Sequence, residues 1–232
     1  MKIFLCGDVM TGRGIDQALP HPCPPILHER YMNSAIDYIR IAEQANGPVP
    51  RPASFRYLWG AALDEWRRAE PHARIVNLET SVTLSGVFEP KGINYRMSPE
   101  NAPCLVEAGV DCCTLANNHV LDWGQGGLID TLNTLHELRI KTAGAGRNRA
   151  EAEAPAIVEI SDEGRLIVLA LASETSGVPR HWAADQMRPG VNLLSSFSEA
   201  RVGPIADRLA EVRRPRDVVV VSIHWGPNWG YS

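Results

Sequence analysis

The sequence predicts an α/β domain, a layered sandwich of mixed β-sheets flanked by helices. Two observations carry that expectation. Short runs rich in β-branched and aliphatic residues alternate with longer stretches of helical periodicity, and one pair of such runs is separated only by a tight-turn sequence. The alternation implies parallel strands joined by helical crossovers, and the tight turn adds an antiparallel pair, so the sheets are mixed.

The elements follow in order. "KIFLC" (2–6) reads as a first buried strand. A proline-rich loop at 18–28 precedes a helical pattern over 30–46, and a second irregular loop at 47–54 with three prolines precedes another over 56–69. "ARIVNL" (73–78) and "DCCTLA" (111–116) are the next strands, with a helix expected at 99–108 between them and another at 124–138. "AIVEISDEGRLIVLALA" (156–172) is the hairpin, its two apolar runs meeting at "DEG". A long loop over 173–190 leads to a helix at 199–213 and a final strand, "DVVVVSIH" (217–224). Loops of such length in a compact domain often carry function.

Composition narrows the function classes. The 232 residues suit one domain spanning 1–232, and 23 Lys plus Arg against 27 Asp plus Glu give a net charge of −4, which argues against nucleic acid as a partner. Five cysteines form no CxxC pair, so a reducing compartment without a disulfide framework is expected. "MKIFLCGD" is too short an apolar run for a signal peptide, and no apolar stretch is long enough for a transmembrane segment. A soluble, cytoplasmic protein is the expectation.

Polar residues fall where chemistry collects. Four of the strands end in groups able to bind a metal: Asp8, Glu79, Asn118 with His119, and His224. Ligand sites in open α/β sheets lie beyond the carboxyl ends of strands. A single such Asp is often a cap or turn residue; four strand ends together point to a site assembled by the fold. Oxygen ligands mixed with imidazole suit Mn, Fe or Zn better than Ca or a structural zinc.

The motifs "GDVMTGRG" (7–14), "NLETSVT" (77–83), "KGINYRMSPEN" (91–101), "LANNHVLDWGQGGLIDTL" (115–132), "AGAGRN" (143–148) and "SIHWGPNWGY" (222–231) resemble, in order and over essentially the whole chain, the CapA-type capsule-biosynthesis proteins linked to poly-γ-glutamate synthesis. That family is similar in turn to the calcineurin-like metallophosphoesterases. The resemblance implies a calcineurin-like fold in which Asp8, Glu79, Asn118 and His224 ligate one or two divalent metal ions (Mn, Fe or Zn). His119 is then the proton donor to a leaving group, and Asp122 either orients His119 or caps the helix at 124. Two ions about 3.5–4 Å apart would serve phosphoester hydrolysis. Arg13, Lys91 and Arg96 are the candidates for neutralising an anionic small-molecule or polymer substrate, each set against the common case of a solvated surface charge. Trp123, Trp225 and Trp229 either wall a pocket or pack core edges. Gly144 and Gly146 read as a turn.

One departure from those families is large: no Gly-His-x-His motif follows. Set against the resemblance, either the chain is C-terminally truncated relative to those relatives or its metal centre is short of histidines, and the sheet is expected to lack its final strands, with an edge to be covered by a partner chain or by a second copy in a homo-oligomer. Two functions stand: a metal-dependent hydrolase of an anionic substrate in capsular polymer synthesis, and a non-catalytic accessory component that binds the polyanion.

Overall fold

A computed structural model of the chain describes residues 1–160 and 164–227. Its elements open with β1 (Ile3–Val9), α1 (Gly14–Ala18), α2 (Ala35–Asn46), α3 (Ala62–Ala69), β2 (Ala73–Leu78), β3 (Ser81–Val82) and β4 (Arg96–Met97). The middle of the chain holds α4 (Pro103–Glu107), β5 (Cys112–Thr114), α5 (Gly124–Glu137), β6 (Lys141–Ala143), β7 (Ala145–Gly146) and α6 (Arg149–Glu153). It continues through β8 (Ala156–Ile160), β9 (Gly164–Ser173), β10 (Gly190–Val191), β11 (Leu193–Leu194), α7 (Glu199–Val212) and β12 (Val218–His224).

Two four-stranded sheets dominate. The first has the order β1-β2-β5-β6 with every pair parallel, the consequence of the alternating strand and helix pattern. In the second, β9 pairs antiparallel with β8 and parallel with β11 and β12, so the sheet is mixed as the hairpin predicts. Its tight turn falls largely on 161–163, outside the described residues, but Ile160 stands opposite Gly164 in the register.

Strand β9 explains how the layers stack. Its residues alternate between faces: Leu166, Val168, Ala170 and Ala172 enter the main core with Val76, Cys113 and Leu115 of the first sheet. Leu169 and Leu171 point the other way, onto Leu194 and the Ile205 and Leu209 face of α7. A run buried on both faces needs no polar alternation, which is why "LIVLALA" has none. Gly144 sits in close contact with Ala116 and with Ala170 of the second sheet. Its φ is +92°, and an added Cβ would lie 2.6 Å from the Ala116 Cβ and 2.7 Å from the Ala170 Cβ.

Several expected boundaries contract for local reasons. The helix expected at 30–46 starts at Ala35, because the Ser34 side chain accepts the Ile36 N–H at 3.3 Å and caps it. That expected at 56–69 becomes turns followed by α3, the break falling at Gly60 with φ +51°. The 99–108 pattern splits into a 3-10 turn at Pro99–Asn101 and α4. Of the five free cysteines, Cys23, Cys104, Cys112 and Cys113 are buried, and burial pushes their thiols up, three of them to about 12, so they pack as small hydrophobes.

Among the described residues β12 pairs with β9 alone and β1 with β2 alone, so each sheet keeps an unpaired edge. Leu5, Val221, Ile223 and Trp225 are exposed on or beside these edges. Among the described residues no helix is long and apolar enough to cross a membrane.

Candidate functional site

The strand ends converge as the polar pattern predicts. Register between β1 and β2 slips at Gly7, so that Cys6 stands opposite Val76 and Asp8 opposite Asn77. Such a bulge re-aims the side chains that follow it. Here Asp8 Oδ1 accepts from Asn77 Nδ2 at 2.6 Å. Glu79 follows directly on β2, its N–H bound to the Val9 carbonyl at 3.0 Å.

The turn after β5 is held by Asn117, which is wholly buried. Its Oδ1 accepts the N–H groups of His119 and Val120, both at 3.0 Å, while Nδ2 donates to the Leu78 carbonyl at 2.9 Å and to Asn77 Oδ1 at 3.1 Å. All four hydrogen-bonding positions are thus used in shaping the turn. Its neighbours are left to face the cluster: Asn118 Oδ1 lies 3.0 Å from His224 Nε2, and His119 Nε2 lies 3.7 Å from Glu79 Oε1.

His224, the last residue of β12, completes the group. Its Nε2 is 3.7 Å from Glu79 Oε1 and its Nδ1 is 3.8 Å from Asp8 Oδ1. Asp8, Glu79, Asn118 and His224 therefore surround one small volume, with His119 at its border.

Asp122 touches His119 rather than capping α5: its Oδ2 lies 2.6 Å from His119 Nδ1, and α5 has no side-chain cap. That carboxylate is fully buried and also receives the Tyr95 N–H at 2.6 Å and the Lys91 ammonium at 2.7 Å. Lys91 Nζ in addition donates to the Asn118 carbonyl and approaches His119 Nδ1 at 3.3 Å. The imidazole nitrogen cannot donate to Asp122 and accept from Lys91 at once, and the shorter contact to a buried carboxylate decides: Nδ1 carries the proton and Nε2 faces Glu79.

The three expected cations have different surroundings. Lys91 is part of the cluster. Arg13 lies at its margin, paired with the buried Glu29 at 2.6 Å and 4.8 Å above the rings of both Tyr38 and Tyr95. Arg96 is committed elsewhere, donating to the carbonyls of Ser85 and Pro24 at 2.7 and 3.2 Å and stacking 3.9 Å over Trp123. Trp123 is accordingly buried in the packing, Trp225 is exposed against Phe197, and Trp229 lies outside the described residues.

Electrostatics match a crowded acidic cluster. Burial foremost, then the charge and hydrogen bond of Asp8, pushes the Glu79 carboxyl up to about 8, against the pull of Lys91. Burial holds both His119 and His224 below their usual range, outweighing Asp122 beside the first and Asp8 beside the second.

The donor set suits a divalent cation in kind, oxygen atoms mixed with imidazole nitrogen. Donors about 2.1 Å from one ion stand roughly 3.0–3.4 Å apart. On the Nε2 side of His224 the Asn118 contact, at 3.0 Å, is at the edge of that range and the Glu79 contact, at 3.7 Å, exceeds it, while Asp8 faces the other ring nitrogen, Nδ1, at 3.8 Å. Among the described residues no three or more His, Cys, Asp or Glu side chains are placed so that they could hold a metal ion as they stand.

Two contributors escape sequence reading. Asn77 links Asp8 to the Asn117 turn, and its only signal is an amide inside an otherwise apolar strand. Tyr95 stacks on His119 with ring centroids 4.0 Å apart and 26° between planes. It comes from a loop in which no periodicity singles it out.

Comparison with known proteins extends these observations. The family described as bacterial capsule synthesis protein PGA_cap matches residues 2–232. A probable polyglutamine synthesis accessory protein of Mycobacterium tuberculosis is 44% identical over 234 residues, covering 100% of this chain and 62% of the relative. The PGA biosynthesis protein CapA of Bacillus subtilis is 26% identical over 155 residues, covering 66% of this chain and 38% of its own length. The capsule biosynthesis protein CapA of Bacillus anthracis is 28% identical over 139 residues, covering 60% and 32%. The chain thus spans 62% of the length of the mycobacterial relatives it matches throughout. With the family match running from the second residue to the last, the chain belongs to the PGA_cap family of bacterial capsule synthesis proteins.

Proposed function

We propose that this chain carries a metal-dependent hydrolytic site, arranged as in calcineurin-like metallophosphoesterases, that acts on a phosphoester or other anionic substrate in the synthesis of capsular poly-γ-glutamate. The observation that carries the reading is the meeting of Asp8, Glu79, Asn118 and His224 beside a buried His119–Asp122 couple. The first four residues would hold one or two ions of Mn, Fe or Zn. When bound, such a cation supplies Lewis-acid polarisation of the scissile group.

The remaining steps belong to the chain. Asp122 fixes the imidazole by its Nδ1–H, so that a proton taken up from solvent at Nε2 faces the departing oxygen and can be passed to it. Because burial lowers the His119 pKa, the imidazolium gives up that proton readily once formed. Lys91 balances Asp122 and adds positive charge where an anionic group would dock.

The accessory reading draws on one observation: the Asn77 amide already satisfies Asp8 at 2.6 Å, so the cluster can stay closed without an ion and serve polyanion binding alone. One experiment separates the two. Elemental analysis of the purified protein is combined with turnover of bis(p-nitrophenyl) phosphate by wild type and His119→Ala. Bound Mn, Fe or Zn with activity reduced about 10²-fold or more in the variant supports the hydrolase. Binding of γ-linked glutamate oligomers with neither metal nor turnover supports the accessory role.

A further inference from the structure

A cavity of about 700 Å³ opens beside the strand-end cluster, between the loop that follows β1, helices α1 and α2, and the proline-rich loop at 47–54. Its floor is aliphatic: Leu19, Ile39, Ala42 and Val49 line it, and only Arg13 among its lining residues carries a charge. It lies in the size range of small-molecule sites, apolar with a few oriented polar groups.

The cavity and the cluster share a wall. Tyr95 lines the cavity and also stacks on the His119 imidazole. Met10 lines it two residues after Asp8. Gly12 holds this loop against β4, since an added Cβ would fall 2.8 Å from the Arg96 nitrogen. Arg13, with a φ of +54°, stands on the same wall with its guanidinium between the rings of Tyr38 and Tyr95. A ligand with its charged group at the cluster would therefore meet, on the far side of Tyr95, a space that water solvates poorly and hydrocarbon fills well.

We infer that this cavity takes the apolar part of an amphiphilic anion, an alkyl chain or aromatic ring attached to the phosphoryl or carboxyl group that docks at the cluster. The inference rests on the reading of the cluster as the site of chemistry. It goes further in naming the substrate class: a purely polar glutamate polymer has nothing to place there, whereas a phosphate or carboxylate joined to hydrocarbon fills both halves.

The test compares octyl, 2-naphthyl and ethyl phosphate by calorimetric titration of the manganese-supplemented protein, with Ala42→Trp and, separately, Val49→Trp to fill the cavity from α2 and from the loop. Each buried methylene is worth about fourfold in affinity. Octyl or naphthyl phosphate should bind at least tenfold more tightly than ethyl phosphate, with the tighter of the two telling chain from ring. Whichever variant keeps the wild-type circular dichroism spectrum should lose that preference while still binding ethyl phosphate. Equal affinity for all three, or a preference retained in a folded filled variant, overturns the inference. Turnover of methyl p-nitrophenyl phosphate is followed in parallel. Metal- and His119-dependent turnover without any apolar preference leaves the hydrolase standing and removes the cavity's role. An apolar preference abolished by filling, without turnover, keeps the cavity and removes the hydrolase.

Discussion

Glu79 is the residue on which the site's electrostatics turn. Its carboxyl, with an ordinary value of 4.5, is pushed to about 8 in the folded chain by burial and by Asp8. The folded state therefore holds a proton that the unfolded state has lost, and stability falls as pH rises between those values. His119 and His224 act oppositely, because their folded values lie below the ordinary 6.5, but their contribution changes only as pH falls through and below 6.5. From about pH 7.5 to 8, where unfolded histidines are also largely neutral, the slope reports Glu79 chiefly of these three. Chelator-treated protein should lose thermal stability as pH rises across that window, and Glu79→Gln, which imitates the protonated acid, should flatten the slope; a wild-type melting temperature that stays level or climbs would oppose this account. That Asp8, Glu79, Asn118 and His224 come together was legible because each lies at or shortly after the carboxyl end of a recognisable strand. Asn77 and Tyr95 were not, since their importance lies in what they touch across the fold.

At the scale of elements, the turn after β5 decides whether two of the site residues point inward. Asn117 supplies four hydrogen bonds there and is fully buried. Asn117→Ala orphans the N–H groups of His119 and Val120, at about 1–3 kcal/mol for each buried group left unpaired. Chemical denaturation should show a loss of about 2 kcal/mol or more, and a change under 0.5 kcal/mol would mean the turn is held by other contacts. The long elements were legible: β2 occupies the predicted 73–78, and α5 and α7 end within one residue of expectation, because apolar runs and glycine or proline boundaries marked them. Strand β6 was not legible. It completes the first sheet with the three residues Lys141–Ala143, and its place is set by pairing with β5 rather than by any pattern of its own.

For the whole molecule, the two sheets share one core but leave β1 and β12 with an unpaired edge each among the described residues. The exposed Val221, Ile223 and Trp225 lie on or just beyond β12. Exposed apolar edge strands invite pairing with another chain. Sedimentation velocity across a concentration series should therefore show self-association of the wild type, reduced by Val221→Lys with the melting temperature little changed. A wild type that remains monomeric throughout would show that the edge is protected by other means. Fold class followed from the order of elements, whereas this edge needed the pairing of β12 with β9 to be seen.

Whether the distant strand ends close around shared cations can be seen by anomalous diffraction from crystals grown with Mn²⁺. An anomalous peak is expected about 2.0–2.3 Å from Glu79 and His224 donor atoms, with Asp8 and Asn118 drawn in around it. Crystals whose manganese lies only at surface carboxylates, with the His224 to Asn118 hydrogen bond intact, would contradict the proposed metal site.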